Sequence, residues 1–141
     1  MIEVIPYRAE HLMQISLQED QMWLGRFLDH EQAKSLEAVQ AFTGMVDGRP
    51  VICAGLIEIH SGRALCWSYV DQSAGLNFLF IHRAVKRFLD MCDYNRIEAE
   101  VAAGFDAGHR WMQMLGFKLE APRLRSYFPD GRDCSIYARV K

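Results

Sequence analysis

The spacing of apolar residues changes several times along the chain, and each change marks an expected element of secondary structure. Apolar and polar residues alternate over residues 2–7, which predicts a short strand. Apolar positions at helical spacing predict helices over residues 9–18 and around 31–40. From Ala41 the period becomes two, which predicts an antiparallel meander of three strands. These strands are residues 41–46, 51–60 and 64–70.

The second half of the chain alternates between the same two periods. Residues 75–91 have the clearest helical pattern, because their apolar side chains repeat about every 3.6 residues. A short helix over residues 106–115 is followed by Gly116, a common C-terminal cap. The remaining strands are residues 96–102, 118–128 and 133–140. About seven strands and about four flanking helices predict one α/β domain over residues 1–141, with a mixed, mostly antiparallel sheet.

Composition and charge narrow the class of protein. Half of the 141 residues are hydrophobic, which is far from the composition of disordered chains. The formal net charge of -2 supplies no overall basic field, so neither a nucleic acid nor a membrane is an expected partner. The sequence has no run of about 18 apolar residues and no signal-like N-terminal segment, so we expect a cytoplasmic protein.

The cysteines and histidines show no metal or redox signature. The cysteines are widely spaced, form no C-x-x-C pair and lie in apolar runs, so we expect small buried hydrophobic residues. They are Cys53, Cys66, Cys92 and Cys134. His109 stands beside Arg110 at the start of a helix, which predicts a surface pair. No metal site is predicted.

An apolar strand runs into the long helix over residues 69–77, Tyr-Val-Asp-Gln-Ser-Ala-Gly-Leu-Asn. A small residue at such a junction lets the backbone approach a phosphate, and the N–H groups of the helix start attract anions. Gly75 therefore predicts a phosphate site at this junction. Ordinary capping of the helix by Ser73 explains the same residues without a ligand.

The order of elements and two motifs resemble the GNAT superfamily of N-acetyltransferases over nearly the full length. The family signature at the junction is Gln or Arg, two residues, Gly, one residue, then Gly or Ala. Gln72 and Gly75 match it, and Asn77 replaces the last small residue. Leu115-Gly116-Phe117 matches the end of the family's last helix. The resemblance implies acetyl-CoA as cofactor, an amine of a small molecule or protein as acceptor, and coenzyme contacts from Val70, Gln72, Gly75, Leu76 and Asn77.

Two positions in the last helical motif depart from the family pattern. Phe105 stands where the family usually has Asn, and Met112 stands where it has the Tyr that protonates the coenzyme thiolate. A thioether has no proton to donate. The acid would then be Tyr69, with Tyr127 or water as the alternatives.

The general base and the acceptor pocket have candidates with open alternatives. A carboxylate or imidazole must deprotonate an ammonium acceptor, and Glu58 is the first candidate, followed by His60. Both residues also fit the solvated face of an alternating strand. Trp23 and Phe27, in the connector between the first two helices, would wall the acceptor pocket or cover the surface as an aromatic staple.

Several further residues resemble small GNAT-like proteins encoded by tailed phages and prophages. They are Cys66-Trp67, the helix residues Arg83 and Arg87, Arg110-Trp111, and the ending 127–133. This resemblance implies an alternative function as a catalytically degenerate interaction protein with virion partners, located in the virion. The basic face of the long helix, formed by Arg83, Lys86 and Arg87, is most simply a solvated surface, and a phosphate or partner contact is the alternative. The oligomeric state, a homodimer included, stays open.

Overall fold

The computed structural model describes residues 1–18 and 29–141. Its strands are β1 Ile2–Pro6, β2 Gln40–Val46, β3 Arg49–His60, β4 Arg63–Val70, β5 Arg96–Ala102, β6 Lys118–Leu124 and β7 Cys134–Val140. The α-helices of the described residues are α1 Ala9–Gln14, α2 His30–Ser35, α3 Phe78–Met91 and α4 Asp106–Met114. Two 3₁₀ segments, Leu36–Ala38 and Gln72–Asn77, precede β2 and α3. In the described part of the chain, no helix is long and apolar enough to cross a membrane.

The seven strands form one mixed sheet in the order β1-β2-β3-β4-β5-β7-β6. Neighbours β1 and β2, β2 and β3, β5 and β7, and β6 and β7 are antiparallel. Strands β4 and β5 are parallel, paired from Arg63↔Arg96 to Cys66↔Ala99, and α3 lies between them in the chain. The predicted α/β class, with a mostly antiparallel sheet of seven strands and four helices, is confirmed.

The chain divides into two compact units. The first comprises Met1–Ile57 and Trp67–Asp90, and the second comprises Glu58–Cys66 and Met91–Lys141. A core cluster of the first unit consists of Tyr7, Ala9, Leu12, Ala33 and Cys53, with Trp67 and Tyr69 packed against it.

The core of the second unit lies where α4 meets the last strands. Leu115, Phe117 and Tyr137 are buried there. Gly116 has a φ of +90°, so glycine ends α4 in the left-handed conformation, and Phe117 N donates to Met112 O at 2.9 Å. The predicted C-terminal cap is confirmed.

Three helices are shorter than the apolar spacing predicts. Helix α1 ends at Gln14 because Ile15 is already extended, at φ -76° and ψ 130°. Helix α2 tightens into a 3₁₀ turn after Ser35. The long helix begins as 3₁₀ at Gln72 and becomes α-helical only at Phe78. A tight 3₁₀ turn is common at a helix start, and apolar spacing alone does not separate it from the α-helix.

Candidate functional site

The end of β4 is hydrogen-bonded to the segment that follows α1. Gln18 N donates to Val70 O at 3.1 Å, and Gln72 N donates to Ser16 O at 2.8 Å. The side chain of Gln72 donates from Nε2 to Leu17 O at 3.1 Å. Two of the residues predicted to bind the coenzyme, Val70 and Gln72, therefore already bond to the protein's own backbone.

Asp71 caps the helical segment at this junction, and the expectation of a Ser73 cap is wrong. Asp71 is only 3% exposed. Its Oδ2 accepts from Ser73 N at 3.0 Å and from Ser73 Oγ at 2.6 Å, and its Oδ1 accepts from Ser16 N at 2.7 Å. Burial alone would raise the pKa of this carboxyl, but these hydrogen bonds outweigh it and hold the pKa below its usual range. The anion at this helix start is therefore the protein's own carboxylate.

The rest of the predicted coenzyme loop, Gly75 to Asn77, lies open. A Cβ built on Gly75 would meet no atom within 4 Å, and the backbone there is outside the left-handed region. The neighbouring Leu76 side chain is 91% exposed. Neither packing nor backbone conformation requires glycine at position 75, which leaves room for a ligand to approach the backbone.

Tyr69, the predicted acid, packs inside the first unit. Its ring centroid lies 5.8 Å from that of Trp67, and it packs against the core cluster. Burial raises the pKa of the Tyr69 phenol, so the group is a weaker acid than a free phenol. Its catalytic role stays a prediction.

Glu58, the predicted base, lies near the start of β5. Tyr94, in the loop before β5, donates its hydroxyl to Glu58 Oε1 at 2.9 Å, and this hydrogen bond raises the pKa of the Tyr94 phenol. The second candidate, His60, accepts at Nδ1 from Gly62 N at 3.2 Å within its own turn. Ligands of sheets with parallel strands usually bind outside the carboxyl ends of those strands, so this edge is a poor place for the base.

A second glutamate–tyrosine pair, missed by sequence reasoning, lies in the C-terminal half of β5. Glu100 is exposed on β5, and the hydroxyl of Tyr127, in the connection between β6 and β7, donates to its Oε2. This bond, burial and the Glu100 charge together raise the pKa of the Tyr127 phenol, so Tyr127 stays a proton donor at neutral pH. The geometry offers a solvent-accessible carboxylate that a neutral phenol orients.

The loop that carries Tyr127 is held by several bonds. Ser126 has a φ of +51°, a left-handed conformation that a serine rarely adopts. Asp133 Oδ1 accepts from Ser126 N at 2.9 Å, and Tyr127 N donates to Arg132 O at 3.0 Å. The strand predicted over residues 118–128 ends at Leu124 because this turn begins there.

Glu98 shares the face of β5 with Glu100 but has other partners. It forms ion pairs with Arg63 and, at 3.2 Å, with Arg96. The Arg63 guanidinium, followed by Arg96, holds the pKa of the Glu98 carboxyl below its usual range. Alternating charges on β5 were visible in the sequence, but only the structure separates the paired Glu98 from the exposed Glu100.

His109 is not a surface pair with Arg110, so that expectation is wrong. Its Nδ1 lies 2.7 Å from the hydroxyl of buried Tyr137, and its Nε2 lies 2.9 Å from Ala103 O. Because a carbonyl only accepts, Nε2 carries a proton, and His109 ties the start of α4 to β7. Met112, at the position of the family tyrosine, is 8% exposed.

The cysteines are free thiols, and Cys53 and Cys134 are buried as expected. Cys66 and Cys92 are half-buried. Burial raises the pKa of the Cys53 and Cys66 thiols to about 12, which makes them poor nucleophiles at neutral pH. Among residues 1–18 and 29–141, no group of three His, Cys, Asp or Glu side chains could hold a metal ion. The predicted pocket residues Trp23 and Phe27 lie outside the described residues.

Solved structures of acetyltransferases share this fold over its full length. Ard1 from Thermoplasma volcanium has a TM-score of 0.79 at 15% identity, with 99% of this chain and 97% of that chain covered. The acetyltransferase of the GNAT family from Bacillus anthracis has a TM-score of 0.72 at 11% identity, covering 99% and 94%. The structure of yncA from Salmonella typhimurium, which contains its cofactor acetyl-CoA, has a TM-score of 0.74 at 14% identity, covering 99% and 94%.

No protein-family model and no curated protein sequence matches the chain. At these identities the structural likeness shows the fold alone, which is the GNAT fold. Fold does not fix chemistry, so function has to be argued from the residues.

Proposed function

We propose that this protein is an acetyl-CoA-dependent N-acetyltransferase that acts on an amine of a small molecule or a protein. The observation that carries the proposal is Gly75, a glycine that the fold does not need, at the strand-to-helix junction where the GNAT fold approaches its coenzyme. The acetyl-CoA-containing structure of the same fold supports this choice of cofactor.

Residues 75–77 leave more room for a diphosphate than the first turn does. Gly75 and Leu76 are exposed, and a diphosphate would meet no Cβ at position 75. At the first turn, the Asp71 carboxylate already accepts from Ser73 N, and a second anion there would meet its charge. We therefore assign coenzyme binding to residues 75–77, and treat Val70 and Gln72 as residues that shape the loop.

Bound acetyl-CoA would supply the activated acetyl group, and Glu100, an exposed carboxylate that Tyr127 orients, is our candidate for taking a proton from the acceptor. An ammonium must lose a proton before its nitrogen can attack. Tyr127 donates to Glu100 Oε2, so Oε1 is the oxygen that receives the proton. This assignment replaces Glu58 as the first choice for the base. Tyr69 or water remains the proposed source of the proton for the leaving thiolate.

Thermal unfolding with acetyl-CoA tests the proposal. A ligand at 100 times its dissociation constant stabilises the folded state by about 2.7 kcal/mol, so the melting temperature should rise measurably. Gly75→Glu should fold normally, because a side chain there meets open space, but should abolish the shift by placing a charge against the diphosphate. If wild type shows no shift at millimolar acetyl-CoA, the proposal is wrong.

A protein-interaction role without chemistry is the second candidate function. It is favoured by the first turn of the 3₁₀ segment, whose donors already have partners within the chain. The Gln72 side chain donates to Leu17 O, and the backbone N–H of Ser73 donates to the Asp71 carboxylate. A chain that binds no acetyl-CoA and releases no thiol with any amine would support this role. The resemblance to phage proteins, the virion partners and a homodimer stay predictions.

A further inference from the structure

An open groove lies between α3 and β1 in the first unit, and none of residues 75–77 lines it. Its volume is about 430 Å³. It is lined by Val4, Leu79, Phe80, Arg83, Ala84 and Arg87. Val4 is 49% exposed and Leu79 is 60% exposed, so the apolar wall faces solvent. Gly44, opposite Val4 in the β1–β2 register, leaves space for the Phe80 ring, which comes within 3.8 Å of a Cβ built there.

The backbone of β1 presents unpaired groups along this groove. Strand β1 is at one edge of the sheet. Asp47 N donates to Met1 O and Tyr7 N donates to Ala41 O, so the odd-numbered residues of β1 turn their backbone groups toward β2. The N–H and C=O groups of Ile2 and Val4 therefore point away from β2. Pro6, which has no N–H group, ends this free edge.

Two arginines on α3 supply positive charge beside the apolar wall. Arg83 and Arg87 are exposed and one helical turn apart. Within residues 1–18 and 29–141, no hydrogen bond or ion pair joins either guanidinium to another side chain. Lys86, also on α3, is paired with Asp90 at 2.9 Å. The groove therefore combines free strand donors, apolar contact surface and two guanidinium groups available to a partner's carboxylates.

We infer that this groove binds an extended peptide segment of a partner protein, with an apolar side chain followed by two acidic ones, each two residues further along the segment. The segment adds as a strand to β1 through Ile2 and Val4, which is a known mode of peptide recognition beside a helix. Its apolar side chain packs on Val4 and Leu79, and its carboxylates pair with Arg83 and Arg87. Successive strand residues point to opposite faces, so the contacting side chains are spaced two apart.

A second copy of this chain fits the groove less well. If two β1 strands paired edge to edge, both copies would bring Arg83 and Arg87 to the same interface, and like charges there are unfavourable. An acidic segment instead pairs with both guanidinium groups. Charge thus favours a peptide partner over self-association.

The test uses two capped peptides and the full chain. The first is acetyl-Ser-Leu-Ser-Glu-Ser-Glu-Ser-amide, and the second has Lys in both Glu positions. We expect the acidic peptide to bind at least about tenfold more tightly than the basic one, and its affinity to fall as salt is raised. NMR titration should shift the amides of residues 2–5 and of α3.

Three variants locate the binding. Val4→Pro removes an N–H group that points away from β2, so it should abolish peptide binding while the β1–β2 ladder persists. Arg87→Ala should weaken binding by about tenfold, whereas Lys86→Ala, its neighbour on the same helix, should not. A binding curve that does not saturate by about 1 mM acidic peptide would overturn the inference. So would equal affinity for both peptides, or a dimer in sedimentation that Val4→Pro dissociates.

Discussion

Two glutamate–tyrosine pairs in the second unit have the same chemistry but different surroundings. Glu58 accepts the hydroxyl of Tyr94 at 2.9 Å, and Glu100 accepts that of Tyr127. Tyr94 comes just before β5 begins, whereas Glu100 is close to the carboxyl end of that strand. Ligands usually bind at the carboxyl ends of parallel strands, so position in the sheet favours Glu100 as the functional carboxylate.

The two tyrosines also differ in what holds them. The loop of Tyr127 contains Ser126 at a positive φ, and Asp133 bonds its backbone N–H. Such strained residues persist only where the surrounding structure fixes them, and they concentrate at functional sites. A glutamate–tyrosine hydrogen bond alone is therefore a poor guide to function. The contacts that hold the tyrosine's loop in place are a better guide.

The largest expected effect separates the two carboxylates directly. Glu100→Gln keeps the shape of the side chain but removes its ability to accept a proton, so kcat for an amine acceptor should fall by about 10²–10⁴-fold. Glu58→Gln, the matched control, should leave the rate within about twofold. Thiol release from acetyl-CoA is the measurement. Loss of activity in Glu58→Gln with a normal rate in Glu100→Gln would reverse the assignment.

Sequence reasoning identified the seven strands but not this pair, and the reason is physical. Alternation locates β5 because apolar side chains such as Ile97 and Ala99 point inward at period two. The partner of Glu100 depends on the turn after β6, where Ser126 has a positive φ, and the β6–β7 register before that turn is irregular. Such irregularities leave no periodic signal in the sequence.

The predicted cap of the helical segment after β4 was wrong for a similar reason. Ser73 and Asp71 both have side chains that can cap a helix, and sequence does not say which residue begins it. The contacts of Asp71 with Ser16 depend on residues 55 positions apart. Long-range packing therefore decided the cap, while the local motif singled out Gly75, whose role in coenzyme binding stays a prediction.

The other carboxylate on β5 should behave in the opposite way to Glu100. Glu98 is paired with Arg63 and Arg96, so Glu98→Gln should lower the free energy of unfolding by about 1–2 kcal/mol at neutral pH. The pKa of the Glu98 carboxyl is lower in the folded state than in the unfolded state, where it is about 4.3. The ionised carboxylate therefore contributes its full stabilisation of the fold above that unfolded pKa. The stabilisation is lost as the pH falls through the folded-state pKa. Urea unfolding at pH 7 and pH 3 measures both. A full difference at pH 3 would contradict the ion-pair explanation.

The hydroxyl of Tyr127 should matter less than the carboxylate that it orients. Tyr127→Phe removes the hydrogen bond that orients Glu100, so kcat should fall by about tenfold, with a smaller change in KM for acetyl-CoA. Tyr94→Phe removes the equivalent bond at Glu58 and should have no effect on rate. Equal losses in the two variants would mean that the tyrosines act through stability alone, which thermal unfolding would show.

The smallest effect should come from Asp133, which reaches the chemistry only through the loop. Asp133→Ala removes the acceptor of the Ser126 N–H group and should lower kcat by about two- to threefold, because the Tyr127 hydroxyl is less well oriented. Asp133→Asn keeps an oxygen for that N–H group and should stay near wild type.

The bond to Ser126 N, followed by Arg123, holds the pKa of Asp133 below its usual value of about 3.9. At pH values above that usual pKa, the ionised Asp133 carboxylate therefore holds the loop through its bond to Ser126 N. This bond is lost as the pH falls through the lower pKa of the folded state. The Ser126 amide resonance should follow this step in an acid titration of wild type and not in Asp133→Asn. If wild type instead titrates at or above the usual value, the carboxylate is not holding Ser126. The rate loss in Asp133→Ala would then have to come from Arg123, and Arg123→Ala should reproduce it.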